Sequence, residues 1–205
     1  FSVFFRGAES ITLDLRDPAG VADLALLLTR ADVFVESFRP GTLARFGAGL
    51  DKKELVLIGY GVIGPAIASE MLARGAKVTV IERSRERAEA ARKAGFHVVL
   101  DDPADAKALA RRRAALAKAD LVVGATGRRT LSLEDMRLLK DGAAMASASS
   151  KRGELDMEGL EREASARELL PSGEPLVTLP TAKYRLKGRT LFVIGDGYPV
   201  NFDGG

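Results

Sequence analysis

Short apolar runs alternate along this chain with longer stretches in which apolar residues recur every three or four positions. Runs of four to six apolar residues read as buried strands, and the longer period reads as helix. The run Leu55-Val56-Leu57-Ile58 enters "GYGVIG", after which Val62, Ile63, Ile67, Met71 and Leu72 form one apolar face. That face stops at Arg74-Gly75, a glycine stop signal. The run from Lys77 to Ile81 predicts the next strand, ending in Glu82, and Ser84 is placed to cap a helix from Arg85 to Ala94 closed by Gly95. "HVVL" from His97 predicts a third strand.

The same alternation continues on both sides. Toward the amino terminus, Ser10 to Leu15 reads as a strand and Asp17-Pro18 as a cap with proline in the first helical turn. Val21, Leu24, Ala25 and Leu28 make the stripe of that helix; Asp32 to Glu36 is a further strand, and Thr42 to Phe46 a short helix. The polar junction Asp51-Lys52-Lys53 closes this part, which predicts a small βαβ lobe over residues 1–52 and a second domain over 53–205. In that second domain Asp102-Pro103 predicts a helix to about Ala119, and Asp120 to Gly127 a strand running into a glycine turn. Ser132 with Asp135 predicts a capping box for a helix from Leu133 to Lys140, closed by Gly142. Ala143 to Ser149 is a strand of small residues, Glu154 to Ala164 a helix, and the chain closes in a hairpin around Gly195-Asp196-Gly197. Strands alternating with helices predict an α/β fold with a doubly wound, mostly parallel sheet.

The glycines carry the candidate chemistry. A bare GxGxxG is weak evidence in a chain with 21 glycines, but here it follows a strand, opens a helix, and precedes a second strand ending in an acid. Gly59 permits the tight turn, Gly61 lacks the Cβ that would block a diphosphate, and Gly64 lets the helix pack closely. Free amides and the positive helix end favour the diphosphate, and Glu82 is placed to accept both hydroxyls of an adenosine ribose. Tyr60, Val62 and Ile63 complete the loop and join the candidate cofactor contacts. Glu82 argues for NAD by repelling a 2′-phosphate, whereas Arg83 is a residue type that accommodates one, so NAD is favoured and NADP stays open.

Composition mainly excludes. With no cysteine and one histidine, there is no disulfide scaffold, thiolate nucleophile, cysteine-bound metal or histidine metal cluster to consider, and no metal site is expected. A formal charge of +3 is mild; Arg111-Arg112-Arg113 reads as a solvated helix face, so no nucleic-acid partner is expected. No apolar run approaches a membrane span, and the cytoplasm is the default compartment. The expected partner is a dinucleotide, with self-association left open. Because it begins at Phe1 and carries no signal-peptide pattern, the chain is expected to be a fragment or a processed product. Lys183-Tyr184 is discounted as a catalytic pair, since neighbours on a strand point to opposite faces. Met136 and Met145 read as core fillers and Asp196 as a turn residue.

Two family resemblances emerge from these residues. Residues 54–204 resemble the Rossmann-type NAD-binding domain of S-adenosylhomocysteine hydrolase. "GYGVIGPAIASEMLARGAKVTVIE", "GATGRRTLSLEDMRLLKDGAAMASAS", "GELDMEGLE" and "KYRLKGRTLFVIGDGYPVNFDG" follow one another in that family's order. The resemblance implies that Gly59, Gly61, Gly64 and Glu82 hold the diphosphate and adenosine ribose, that Thr126 and Gly127 line the cofactor groove, and that Asn201 faces the nicotinamide side. Ser150-Lys151 stands where that family has a histidine-phenylalanine gate, and no segment resembles its substrate domain, so complete hydrolase activity is not expected and catalytic residues stay unknown. Residues 1–51 resemble an early stretch of the class III CoA-transferases, with Ser37 where that family has asparagine, Arg45 at a later arginine and Glu9 at a basic position. The nucleophilic aspartate of that family has no counterpart here. The alternatives to NAD-dependent chemistry are therefore a CoA-transferase fragment or a non-catalytic NAD-binding scaffold, and a fusion or chimera joined near residues 51–54 accounts for both resemblances.

Overall fold

The computed structural model describes residues 11, 13–14, 17–28, 52–148, 153–170 and 181–198. In the amino-terminal part the one described element is helix α1 (Pro18–Leu28), started as expected by Asp17, whose Oδ1 accepts from the Ala19 amide at 2.9 Å. Of the expected strand Ser10–Leu15 only residues 11, 13 and 14 are described, and none of them is in a strand; the expected strand Asp32–Glu36, the helix Thr42–Phe46, Ser37, Arg45, Glu9, Ser150-Lys151 and Asn201 lie outside the described residues.

From residue 54 the strands are β1 (Glu54–Ile58), β2 (Lys77–Glu82), β3 (His97–Leu100), β4 (Leu121–Gly124), β5 (Ala143–Ser147), β6 (Ala166–Leu170), β7 (Thr181–Leu186) and β8 (Arg189–Val193). They form one sheet in the order β3-β2-β1-β4-β5-β8-β7-β6, parallel from β3 through β8 and antiparallel for the last two pairings. The helices are α2 (Gly64–Ala73), α3 (Arg85–Lys93), α4 (Ala106–Lys118), α5 (Leu133–Met136) and α6 (Met157–Glu163). This is the mostly parallel α/β fold expected from the alternation. The strand order reverses at β1, with β2 on one side and β4 on the other, and such a reversal opens a crevice at the carboxyl ends of the two strands.

The central parallel strands β1, β4 and β5 are buried on both faces, which is why their apolar runs are continuous rather than alternating. Leu55 and Leu57 pack with Ala68 of α2, Ala91 of α3, Val78 and Val80 in one cluster; Val56 and Ile58 pack with Leu116 of α4, Met136 of α5 and Leu160 of α6 in the other. Met136 and Met145 are fully buried core residues. Tyr184 is buried beneath the sheet's antiparallel corner while its neighbour Lys183 reaches Glu168 at 3.5 Å, so the two side chains diverge as expected for a strand. The Tyr184 hydroxyl accepts from Arg167 at 2.9 Å, and burial, with the Asp196 charge behind it, raises its pKa despite that arginine.

Five local expectations are corrected. Asp102 caps only a turn, through the Ala104 amide at 3.0 Å; α4 starts later, at Ala106, with Asp105 as its cap. Ser132 and Asp135 form the expected capping box, but α5 ends at Met136, well short of Lys140. The closing hairpin turns at Lys187-Gly188, whose φ of 49° and 82° suit the two-residue turn that matches strand twist, whereas Gly195-Asp196-Gly197 is a tight 3-10 turn after β8. Asp196 there is more than a turn residue, accepting from Arg167 at 2.9 Å. Finally, the basic run is not one solvated face. Arg111 and Arg113 are exposed, but Arg112 is buried among Asp101, Asp135 and the Thr130 carbonyl.

Candidate functional site

The crevice between β1 and β4 is built from two loops of opposite construction. Gly59 leaves β1 at φ 103°, a conformation that glycine tolerates and other residues rarely adopt, and its amide donates to the Ile81 carbonyl at 2.9 Å. A side chain at Gly59 would collide with Thr126 Cγ2 and the Ala125 carbonyl, 2.6 and 2.8 Å from the Cβ position. At Gly64 a Cβ would sit 2.5 Å from the Gly59 carbonyl and 3.8 Å from Leu57 Cδ2, so the close approach expected of this glycine is made chiefly to the turn itself. Gly61 differs from both. Its Cβ position has only Arg87 Nη1 nearby, at 3.7 Å. Two of the three glycines are thus required by the protein's own packing, and the middle one faces open space.

The amides around that space divide in the same way. The Tyr60 amide is spent on Glu82 Oε2 at 2.7 Å, while those of Gly61, Val62 and Ile63 meet no acceptor among the described residues. Val62 is fully exposed at the loop tip and Ile63 partly so. Pro65 lies in the first turn of α2, where its missing N–H costs no intrahelical bond.

On the β2 side, Glu82 is buried, and its carboxylate also accepts from the Ser84 amide at 2.8 Å. A carboxylate has about four acceptor sites, so two amides leave capacity for two hydroxyls. Arg83 donates from Nε to Asp101 at 3.1 Å. Ser84 caps α3 as expected, accepting from the Arg87 amide at 3.3 Å.

On the β4 side, Thr126 and Gly127 lie exposed at the strand's carboxyl end, but their amides are not free. Both donate to Glu154 Oε1, at 2.7 and 2.5 Å, and the Thr130 hydroxyl reaches Glu154 Oε2 at 2.9 Å. Glu154 has no solvent exposure. The block "GELDMEGLE" contains it but gave it no role: its partners lie 24 to 28 positions earlier, and its sequence neighbours place it at the start of a helix. Gly124 is the signal that bears on it, since a Cβ there would lie 2.3 Å from Glu154 Oε2. Arg112 holds the far end of the same loop through the Thr130 carbonyl at 2.7 Å.

The candidate residues Gly59 to Gly64, Glu82, Arg83, Thr126 and Gly127 therefore all stand at or just beyond the carboxyl ends of β1, β2 and β4, where Thr126 and Glu82 each approach the glycine turn. These features fit a dinucleotide: an uncrowded glycine, free amides at a helix start, and a buried acid on the neighbouring strand. Among the described residues there is no cluster of three or more metal-ligating side chains, and no helix is long and apolar enough to cross a membrane.

Known proteins resemble the chain in two parts. The model of the CoA-transferase family III matches residues 1–56. The adenosylhomocysteinase of Archaeoglobus fulgidus is 33% identical over 150 residues, covering 73% of this chain and 33% of that protein. The enzyme of Pyrobaculum aerophilum is 34% identical over 152 residues, covering 73% and 31%. The chain thus spans about a third of the length of the curated relatives it matches. Among solved structures, a dipicolinate synthase from Bacillus halodurans aligns with a TM-score of 0.49 at 14% identity, over 71% of this chain and 42% of that one. An L-alanine dehydrogenase aligns at 0.48 and 18%, over 71% and 36%. The chain carries a dinucleotide-binding domain similar to part of the adenosylhomocysteinases. The model of the TrkA-N domain matches residues 55–161, from the start of β1 into α6, and with just over half of its residues matched the chain belongs to the TrkA-N domain family.

Proposed function

We propose that this domain binds NAD in preference to NADP, as the cofactor-binding part of an adenosylhomocysteinase-like enzyme. The observation that carries the reading is the open face of Gly61 between two glycines that are packed tight. In this reading the amides of Gly61, Val62 and Ile63 hold the diphosphate, with Gly59 and Gly64 shaping the loop and Tyr60 tying it to Glu82. Glu82 accepts the adenosine ribose hydroxyls. Its charge disfavours a 2′-phosphate, and Arg83 already shares its charge with Asp101. Thr126 and Gly127 line the groove toward the nicotinamide half, where Asn201 is the further candidate. Bound NAD supplies a reversible hydride acceptor; the protein supplies position and electrostatics.

Ribose oxidation and homocysteine elimination, which the hydrolase resemblance implies, need acid and base groups that none of these residues provides. A catalytic role is accordingly proposed only for a larger assembly that brings a substrate domain. The two family models overlap at residues 55–56, which supports a division of the chain near residue 53 into an amino-terminal lobe and the dinucleotide domain. Calorimetric titration of the chain with NAD and NADP tests the reading. Saturable binding is expected for both, with NAD tighter by about tenfold or about 1.4 kcal/mol. Absence of NAD binding at millimolar ligand overturns it.

A further inference from the structure

Glu154 is a carboxylate with no solvent exposure and, among the described residues, no salt-bridge partner. Burying such a group costs several kcal/mol unless hydrogen bonds replace its water. Here three donors do so: two consecutive amides converge on one oxygen, and a hydroxyl reaches the other. The main chain of Glu154 adds to the hold, its carbonyl accepting from the Thr130 and Leu131 amides at 2.8 and 3.1 Å. The strand residue beneath the carboxylate is Gly124, which leaves the room that a Cβ would fill. The loop from Thr126 to Thr130 thus folds around a side chain supplied by a segment that follows β5.

The loop in turn bounds the glycine turn, because Thr126 Cγ2 lies 2.6 Å from the Cβ position of Gly59. β2 and β4 flank β1 on opposite sides. A ligand with its adenosine ribose at Glu82 therefore extends its second half over the β4 loop. Resting on the dinucleotide reading above, we propose that Glu154 is a positioning residue of the site, whose carboxylate sets the Thr126–Gly127 loop against the glycine turn and so shapes the half of the groove remote from the adenosine.

The test compares NAD with ADP-ribose, which shares the adenosine, diphosphate and second ribose and lacks the nicotinamide, and with AMP, which reaches only the β2 side. Glu154→Gln keeps the size but puts an NH2 group in place of one oxygen, so that one or two of the three donors lose their acceptor. Affinity for NAD and ADP-ribose is expected to fall about tenfold, the equivalent of one or two lost hydrogen bonds, with AMP affinity within about twofold of the parent. A role in general stability would weaken all three together or none, and either result overturns the proposal. Gly124→Ala is the second variant, in which the native carboxylate is pushed from its seat by one methyl group; it should reproduce the selective loss, and unchanged NAD binding there is equally fatal. Glu154→Asp, whose carboxylate retains the acceptor chemistry, should recover part of the NAD affinity. Parent protein that binds AMP, ADP-ribose and NAD not at all overturns the dinucleotide reading itself, whereas parent binding with uniform variant losses removes only the role of Glu154.

Discussion

The two loops that form the crevice solve the same problem in different ways. After β1, the chain turns through glycines and ties one amide to an acid on the next strand, leaving the following amides open. After β4, the chain turns around a buried acid that consumes two consecutive amides. The first loop leaves its amides open; the second has already closed its own on an anion from its own chain. On the proposed reading, a ligand gains main-chain hydrogen bonds at the first loop and shape at the second.

Substitutions can break this comparison, starting with the largest effect. Gly61→Val places a branched side chain in open space, so binding of NAD should fall beyond about a thousandfold, about 4 kcal/mol. The melting temperature should stay nearly constant, because apart from Arg87 nothing lies within 4 Å of the new Cβ. Isothermal calorimetry and a thermal melt check the two halves of that statement, and unchanged affinity would remove the diphosphate role of this loop. Arg112→Met strikes the support of the second loop instead. It leaves Asp101, Asp135 and the Thr130 carbonyl without their shared buried cation, a loss of about 3 kcal/mol measurable by urea unfolding.

Glu82→Ala sharpens the contrast between the acids. Removing the charge beside the ribose should narrow the NAD/NADP affinity ratio by about tenfold, whereas loss of a like acid in the second loop has no reason to change it. An unchanged ratio in parallel titrations would exclude Glu82 from ribose recognition.

The smallest effect lies at the opposite end of the strands. Burial works to raise the pKa of Asp120, but hydrogen bonds from Lys140 and the Glu54 amide, with the charges of Lys140 and Lys53, outweigh it and hold the carboxyl below its ordinary value. A depressed folded-state pKa stabilises the native state above the unfolded value and loses that stabilisation as pH falls through the folded one. Unfolding free energy should therefore drop in acid less steeply for Asp120→Asn than for the parent. Denaturant midpoints at pH 7 and across pH 2 to 4 read this directly.

The same contrast explains which parts of the site were legible. The glycine loop, its helix and Glu82 are written within 24 residues, each choice tied to a neighbour in sequence. Caps at Asp17, Ser84 and Ser132 were local in the same sense and read correctly. What escaped was set by distant partners. Glu154 reads as an ordinary helix-start acid until β4 lies beside it, and Arg112 reads as solvated until Asp101 and Asp135 converge on it. The shortened α5 and the hairpin at Lys187-Gly188 belong to the same class. Capping chemistry marks where a helix starts, but packing against the sheet decides where it stops, and strand register decides which of two glycine turns closes the hairpin.

Gly124 and Glu154 also constrain how such a chain can be recombined. The missing side chain of one is the housing of the other, although 30 positions separate them. A crossover falling between the two would join a carboxylate to a strand with no vacancy for it, or leave a vacancy unfilled. Segments exchanged between homologues must carry both or neither.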